Sequence, residues 1–205
     1  DIDELKPKMK LSGCNWLSTV QPMWHEYENV KKEYDVSCMF GYPTKEPVYE
    51  HDLCQTDYYD KHRKELLETL GDKYKIAGLV DGERVPANEY YNRMYNSKII
   101  MAPLGYGEAA VRDIETGMFG SILVKPDMSY VDTKPNIYVD GETYVSVNYD
   151  WSNLIDKIDE VLSDYDNNRK KYVENMRIKF QEESRFDKFV VHIYNVLKNL
   201  EGVSV

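Results

Sequence analysis

The chain has 205 residues, 42% of them apolar, enough for one large domain or a domain and a half around an ordinary core. A formal net charge of −10 and a pI of about 5.0 argue against DNA or RNA as a main partner, because counterion-driven binding needs a basic surface. No apolar run reaches the length of a membrane span, no secretory leader is recognisable, and Cys14, Cys38 and Cys54 form no CxxC pair, so they read as free thiols of a reducing, cytoplasmic compartment.

Residues 1–33 read as an N-terminal extension, in which Trp24, Tyr27 and Val30 suggest one side of a short helix. Tyr34–Gly41 reads as the first strand and its turn. A proline-bearing loop follows, then a helix over Tyr58–Leu70 with Gly71 as its stop. His62 and Arg63 fall in the first half of that helix. The four histidines, His25, His51, His62 and His192, are scattered and form no ligand motif, so no metal site is expected.

Lys73–Leu79 reads as a second strand, and Asn88–Asn96 as a short helix with Tyr90, Tyr91, Met94 and Tyr95 on its apolar side. Lys98–Ala102 and Ser121–Val124 are short apolar runs without polar alternation, which suits strands covered on both faces. Between them Ala110, Val111, Ile114 and Met118 recur at helical spacing, and Pro103–Gly107 makes the turn into that helix. Strand–helix–strand repetition at this spacing predicts an α/β domain: a Rossmann-like parallel sheet flanked by helices. Its boundaries are placed at residues 34–165.

The loop–helix junction holds the candidate chemistry. A helix N-terminus presents free amides and the positive end of a dipole, which suits phosphate. Gly105 and Gly107 permit close backbone approach, with Tyr106 between them. Arg112 can grip a phosphate bidentately. Glu115, three residues on, can accept two ribose hydroxyls or pair with Arg112 as an ordinary helix-surface ion pair.

After Val124, Lys125 and Asp127 sit at another strand end on the same sheet edge. Thr143–Val147 alternates and reads as a short edge strand. Asp150–Asn153 offers caps for a helix carrying Leu154, Ile155, Ile158, Val161 and Leu162. Residues 166–205 complete the chain as a helical C-terminal tail packing on the domain: a charged helix over Asn167–Glu183 and an amphipathic one over Ser184–Leu200. Eighteen tyrosines are many for this length, and half-buried rings with a wet hydroxyl account for most of them.

The stretch with Pro103, Gly105, Arg112, Glu115 and Gly120, followed by a hydrophobic strand, resembles the nucleotide-sugar-binding, C-terminal half of GT-B glycosyltransferases, of the exostosin-like and glycosyl transferase group 1 kind. The resemblance covers roughly residues 35–162. It implies half of a GT-B fold, a nucleotide-diphosphate sugar as donor, and transfer to an acceptor hydroxyl of a carbohydrate or glycoprotein. It further implies that Arg112 lies near the donor diphosphate and Glu115 binds the ribose, with Arg63, Lys125 and Asp127 as further donor-side residues. It implies no separate cofactor. The retaining E-x7-E pattern would place a glutamate at position 107, where this chain has Gly107, with Glu108 next to it. Residues 1–33 are too few for the acceptor domain of such enzymes, so a second domain or chain would supply the acceptor site. No catalytic base is assignable. The alternative is a non-catalytic nucleotide-binding or assembly module. The acidic switch residues of a flavodoxin-like regulatory domain are not recognisable.

Overall fold

The structure, a computed structural model, describes residues 25, 27, 29–40, 53–78, 85–105 and 109–201. Five strands form one sheet: β1 (Tyr34–Cys38), β2 (Ile76–Gly78), β3 (Ser97–Met101), β4 (Ile122–Pro126) and β5 (Val145–Val147). Their spatial order is β2-β1-β3-β4-β5, and every pairing is parallel. Among the described residues six helices accompany it: α1 (Leu53–Leu70), α2 (Ala87–Tyr95), α3 (Val111–Met118), α4 (Leu154–Ser163), α5 (Tyr165–Glu183) and α6 (Phe186–Glu201). This is the Rossmann-like α/β architecture expected from the sequence. Among the described residues no helix is long and apolar enough to cross a membrane.

The strands are apolar on both sides because both faces are covered. In β3, Ile99 and Met101 enter one cluster with Leu66 and Leu70 of α1 and Leu154, Ile158 and Val161 of α4. Ile100, between them, points the other way, to Met39, Met94 of α2 and Phe119. Leu123 of β4 likewise joins Ile114 of α3 and Met176 and Phe180 of α5. The period of two along each strand thus distributes one apolar run between two cores.

The chain leaves β1 through α1 on one face and returns from β2 through α2 on the other. Strand order therefore reverses between β1 and β3. Connections that diverge there open a crevice at the carboxyl edge of the sheet, the usual ligand position of open α/β sheets.

Three elements differ from the sequence reading. His25, Tyr27 and residues 29–33 are not helical. His25 donates its amide to the Met118 carbonyl at 3.1 Å instead of to a carbonyl one helical turn back. The second strand is shorter than expected and begins at Ile76; before it, the Tyr74 hydroxyl turns out to Asp159 at 2.8 Å. On α6, Val190, Val191, Tyr194 and Leu197 are exposed, whereas α5 buries Val173, Met176 and Phe180.

The N-terminal stretch is strapped to the far end of α3 by three cations. Arg177 donates to the carbonyls of Gly117 at 3.0 Å, Met118 at 3.3 Å and His25 at 2.8 Å. Arg169 donates to Gly120 at 2.9 Å and Val30 at 3.2 Å. Lys32 reaches the carbonyls of Phe119, at 2.8 Å, and of Tyr95. The orphan carbonyls of the α3 C-terminus are thereby satisfied by charge-assisted bonds. The Tyr27 ring lies between the two guanidiniums, at 4.8 and 4.7 Å.

Gly120 makes that approach possible. Its φ is +62°, and a Cβ there would sit 2.2 Å from the Tyr27 Cβ. Gly141 has φ +72° but open space around it. Gly141→Ala should therefore cost about 1 kcal/mol of backbone strain, while Gly120→Ala adds overpacking and should cost about 3 kcal/mol. Urea unfolding of the two variants measures the gap.

Burial, reinforced by Arg169 and Arg177, holds the Lys32 ammonium down to about 7 from 10.5. Above pH 7 the unfolded chain then binds the extra proton, so unfolding free energy should rise from pH 7 to 9, by at most about 1.4 kcal/mol per unit. Lys32→Met should lose that slope; parallel slopes in the two proteins would exclude it.

Candidate functional site

A cleft of about 600 Å³ opens at the β1/β3 crevice. Pro103 and Gly105, which follow β3, form one wall with Ala109 and Ala110. Arg112 and Glu115 enter from α3, Tyr90 and Tyr91 from α2, and Arg63 from α1.

Each element places its side chain for a local reason. Gly105 lies against the Arg63 guanidinium: a Cβ there would meet Nη2 at 3.1 Å. Glycine lets this cation rest on the loop. Ala110 caps α3, and its amide is taken by Asp113 Oδ2 at 3.0 Å. The amides of Val111 and Arg112, in the first turn, have no acceptor within the helix and face the cleft end of the dipole. Arg112 donates from Nη2 to the Met39 carbonyl at 2.9 Å and from Nε to the Tyr90 hydroxyl at 3.3 Å. Those bonds fix its guanidinium plane between the end of β1 and α2. Arg112 does not form the helix-surface ion pair with Glu115 that the spacing allowed.

Burial pushes the Glu115 carboxyl up from its ordinary range, against the opposing pull of the Arg112 charge and the Tyr91 hydroxyl; the Asp113 charge adds to the rise. Below the sheet edge the Cys38 thiol is buried and pushed up to about 12, so it stays protonated and inert.

Of the residues singled out from the sequence, Gly105, Arg63, Arg112 and Glu115 meet in this cleft. Tyr106 and Gly107 lie outside the described residues. Lys125 does not line it. Its ammonium is fully buried and paired with Asp113 at 2.9 Å. The same Asp113 oxygen accepts from the Tyr138 hydroxyl at 2.6 Å. A side chain at the end of a strand points to one of two faces, and Lys125 points under α3 instead of out of the edge. Asp127 is exposed and not part of the cleft wall. It accepts from the Ser129 amide and hydroxyl at 3.0 and 2.7 Å, shaping its own turn, and those bonds hold its carboxyl below the ordinary range.

Tyr90 and Tyr91 were read from the sequence only as the apolar side of a helix. The available signal was their adjacency. Neighbouring residues on a helix point about 100° apart, so one of the two had to leave a single apolar stripe. Among the described residues no three His, Cys, Asp or Glu side chains converge as a metal-ligand group.

No protein-family model matches the sequence, and no curated protein matches it. Solved structures similar to this chain include sucrose-phosphate synthase from Thermosynechococcus elongatus, with 17% identity over 71% of this chain and a TM-score of 0.43. They also include the C-terminal domain of a glycosyl transferase group 1 family protein from Francisella tularensis, with 16% identity over 81% of this chain, 97% of that one, and a TM-score of 0.47. The chain spans 35% of the length of the sucrose-phosphate synthase.

The buried Lys125–Asp113 pair yields a direct test. Lys125→Met leaves an uncompensated carboxylate in the core and should destabilise the fold by about 3–5 kcal/mol. Adding Asp113→Asn should recover most of it. Unchanged stability in the single variant would contradict a stabilising role for the buried pair.

Proposed function

We propose that this chain is the nucleotide-sugar-binding half of a GT-B type glycosyltransferase, which transfers a sugar from its nucleoside diphosphate to an acceptor hydroxyl. The observation that carries the reading is the convergence of two guanidiniums, Arg63 and Arg112, with the carboxylate Glu115 beside the N-terminus of α3 in one crevice.

The donor's diphosphate would sit against the first turn of α3 and between the guanidiniums. As the bond from anomeric carbon to phosphate oxygen breaks, negative charge grows on the leaving diphosphate. Fixed positive groups placed where that charge develops stabilise it more than they stabilise the ground state. Arg63 rests on the glycine loop, while Arg112 is held by Met39 and Tyr90. The two would thus clamp the diphosphate from two sides. Glu115 would accept the ribose hydroxyls. Its partial burial strengthens such bonds, since water competes less. The acceptor, a carbohydrate or glycoprotein, and the general base for its hydroxyl would come from another domain or chain facing this edge. No separate cofactor enters this reading, and the compartment it supposes is the cytoplasm.

Calorimetric titration with UDP and GDP tests it. Arg63→Ala and Arg112→Ala should each weaken nucleoside diphosphate binding about tenfold or more. Glu115→Ala should weaken UDP while leaving inorganic pyrophosphate unaffected. An Arg112→Ala protein with unaltered UDP affinity would refute the phosphate role. Binding without donor hydrolysis or transfer, in the presence of candidate acceptors, would instead identify a non-catalytic binding module.

A further inference from the structure

Two consecutive tyrosines of α2 meet the two charged cleft residues of α3. Arg112 and Glu115 stand three residues apart, the spacing at which opposite charges on one helix pair with each other. In this fold Arg112 is engaged by Tyr90 and the Met39 carbonyl instead, and Tyr91 lies beside Glu115 in the cleft lining. The Tyr90 hydroxyl accepts from Arg112 Nε at 3.3 Å. The Tyr91 ring and the Glu115 carboxylate line the same cleft, and the Tyr91 hydroxyl lies within electrostatic reach of that carboxylate. The two rings brace one another edge to face, with centroids 5.3 Å apart, and Tyr91 leans on Phe119 at 5.9 Å.

We infer that Tyr90 and Tyr91 are positioning residues that hold the Arg112 guanidinium and the Glu115 carboxylate apart, so that each remains available to a different part of one ligand: an anionic phosphate oxygen for Arg112, a pair of sugar hydroxyls for Glu115. This deepens the donor-site reading and rests on it for the identity of the ligand, not for the separation itself. An intrahelical ion pair would neutralise the guanidinium and occupy the carboxylate. Binding would then have to break that pair first, and the loss would be subtracted from affinity. Tyrosine hydroxyls are neutral, so they orient both groups without cancelling either charge. The Met39 carbonyl, also neutral, secures the other side of Arg112 at 2.9 Å. The groups facing Glu115 are Arg112 and Asp113 from its own helix and Tyr91 from α2, with Arg63 of α1 in the same cleft.

The test is the double variant Tyr90→Phe/Tyr91→Phe, which removes two hydroxyls and keeps both rings. Carboxyl-carbon NMR follows the titration of Glu115 in the ligand-free protein. If the tyrosines hold the charges apart, the carboxylate swings onto Arg112 in the double variant and its midpoint falls. A midpoint that rises or stays would mean only a lost hydrogen bond, and would overturn the inference. Inorganic pyrophosphate supplies a second readout. Its affinity should drop about tenfold in the double variant. It should be regained when Glu115→Gln is added, because an amide cannot neutralise Arg112. Undiminished affinity, or no rescue, would also overturn it. A wild-type protein that binds neither pyrophosphate nor UDP would defeat the donor-site reading, and the ligand-free titration would still decide the role of the tyrosines.

Discussion

The buried pair of Asp113 and Lys125 is the constraint on which the cleft depends. Asp113 sits in the first turn of α3 with its side chain fully buried. One of its oxygens holds the Ala110 amide, the Lys125 ammonium and the Tyr138 hydroxyl together. That single atom joins the start of the helix to β4 and to the loop before β5. A buried carboxylate unaccompanied at a helix start would repel a phosphate and would itself be costly. Lys125 cancels its charge from beneath. The helix can then keep a capped, fixed first turn and still present a positive end to the crevice. Lys125 therefore serves the cleft from behind its wall, where a ligand does not touch it.

The other end of α3 is held as firmly. Lys32, Arg169 and Arg177 converge on the carbonyls that follow it. Gly120 admits the Tyr27 ring that the two guanidiniums flank. An eight-residue helix is too short to be stable alone. Pinned at both ends, it becomes a rigid mount on which Arg112 and Glu115 have defined directions. Tyr90 of α2 and the Met39 carbonyl then set the direction of Arg112 within the cleft. Preorganisation of this kind is what allows fixed charges to favour a developing charge in a reaction.

The sheet was legible in the sequence because its strands are short apolar runs separated by turns and amphipathic helices, and the glycine loop before α3 marked the crevice. Gly105, Arg112 and Glu115 were legible together because a helix start after a buried strand has few chemical uses. Arg63 was named from sequence, but its contact with Gly105 depends on how α1 packs, and spacing carries no trace of that. Lys125 was misplaced for a different reason. Position at a strand end says nothing about which face a side chain takes, and a buried ion pair reads in sequence like two surface charges. Tyr90 and Tyr91 were hidden by their chemistry, since a ring that packs and a hydroxyl that positions a charge are the same residue. The N-terminal strap was illegible because it is made by bonds between segments distant in the chain, such as His25 to Met118 and Arg177 to His25, with no local period to announce them.

The central claim is that the first turn of α3, backed by Arg63 and Arg112, receives a diphosphate. Amide NMR of the labelled protein during addition of UDP tests it most directly. The account expects the largest shifts at the amides of Gly105, Val111 and Arg112 and at the guanidinium resonances of Arg63 and Arg112. Shifts confined to another surface, or none at saturating UDP, would contradict it.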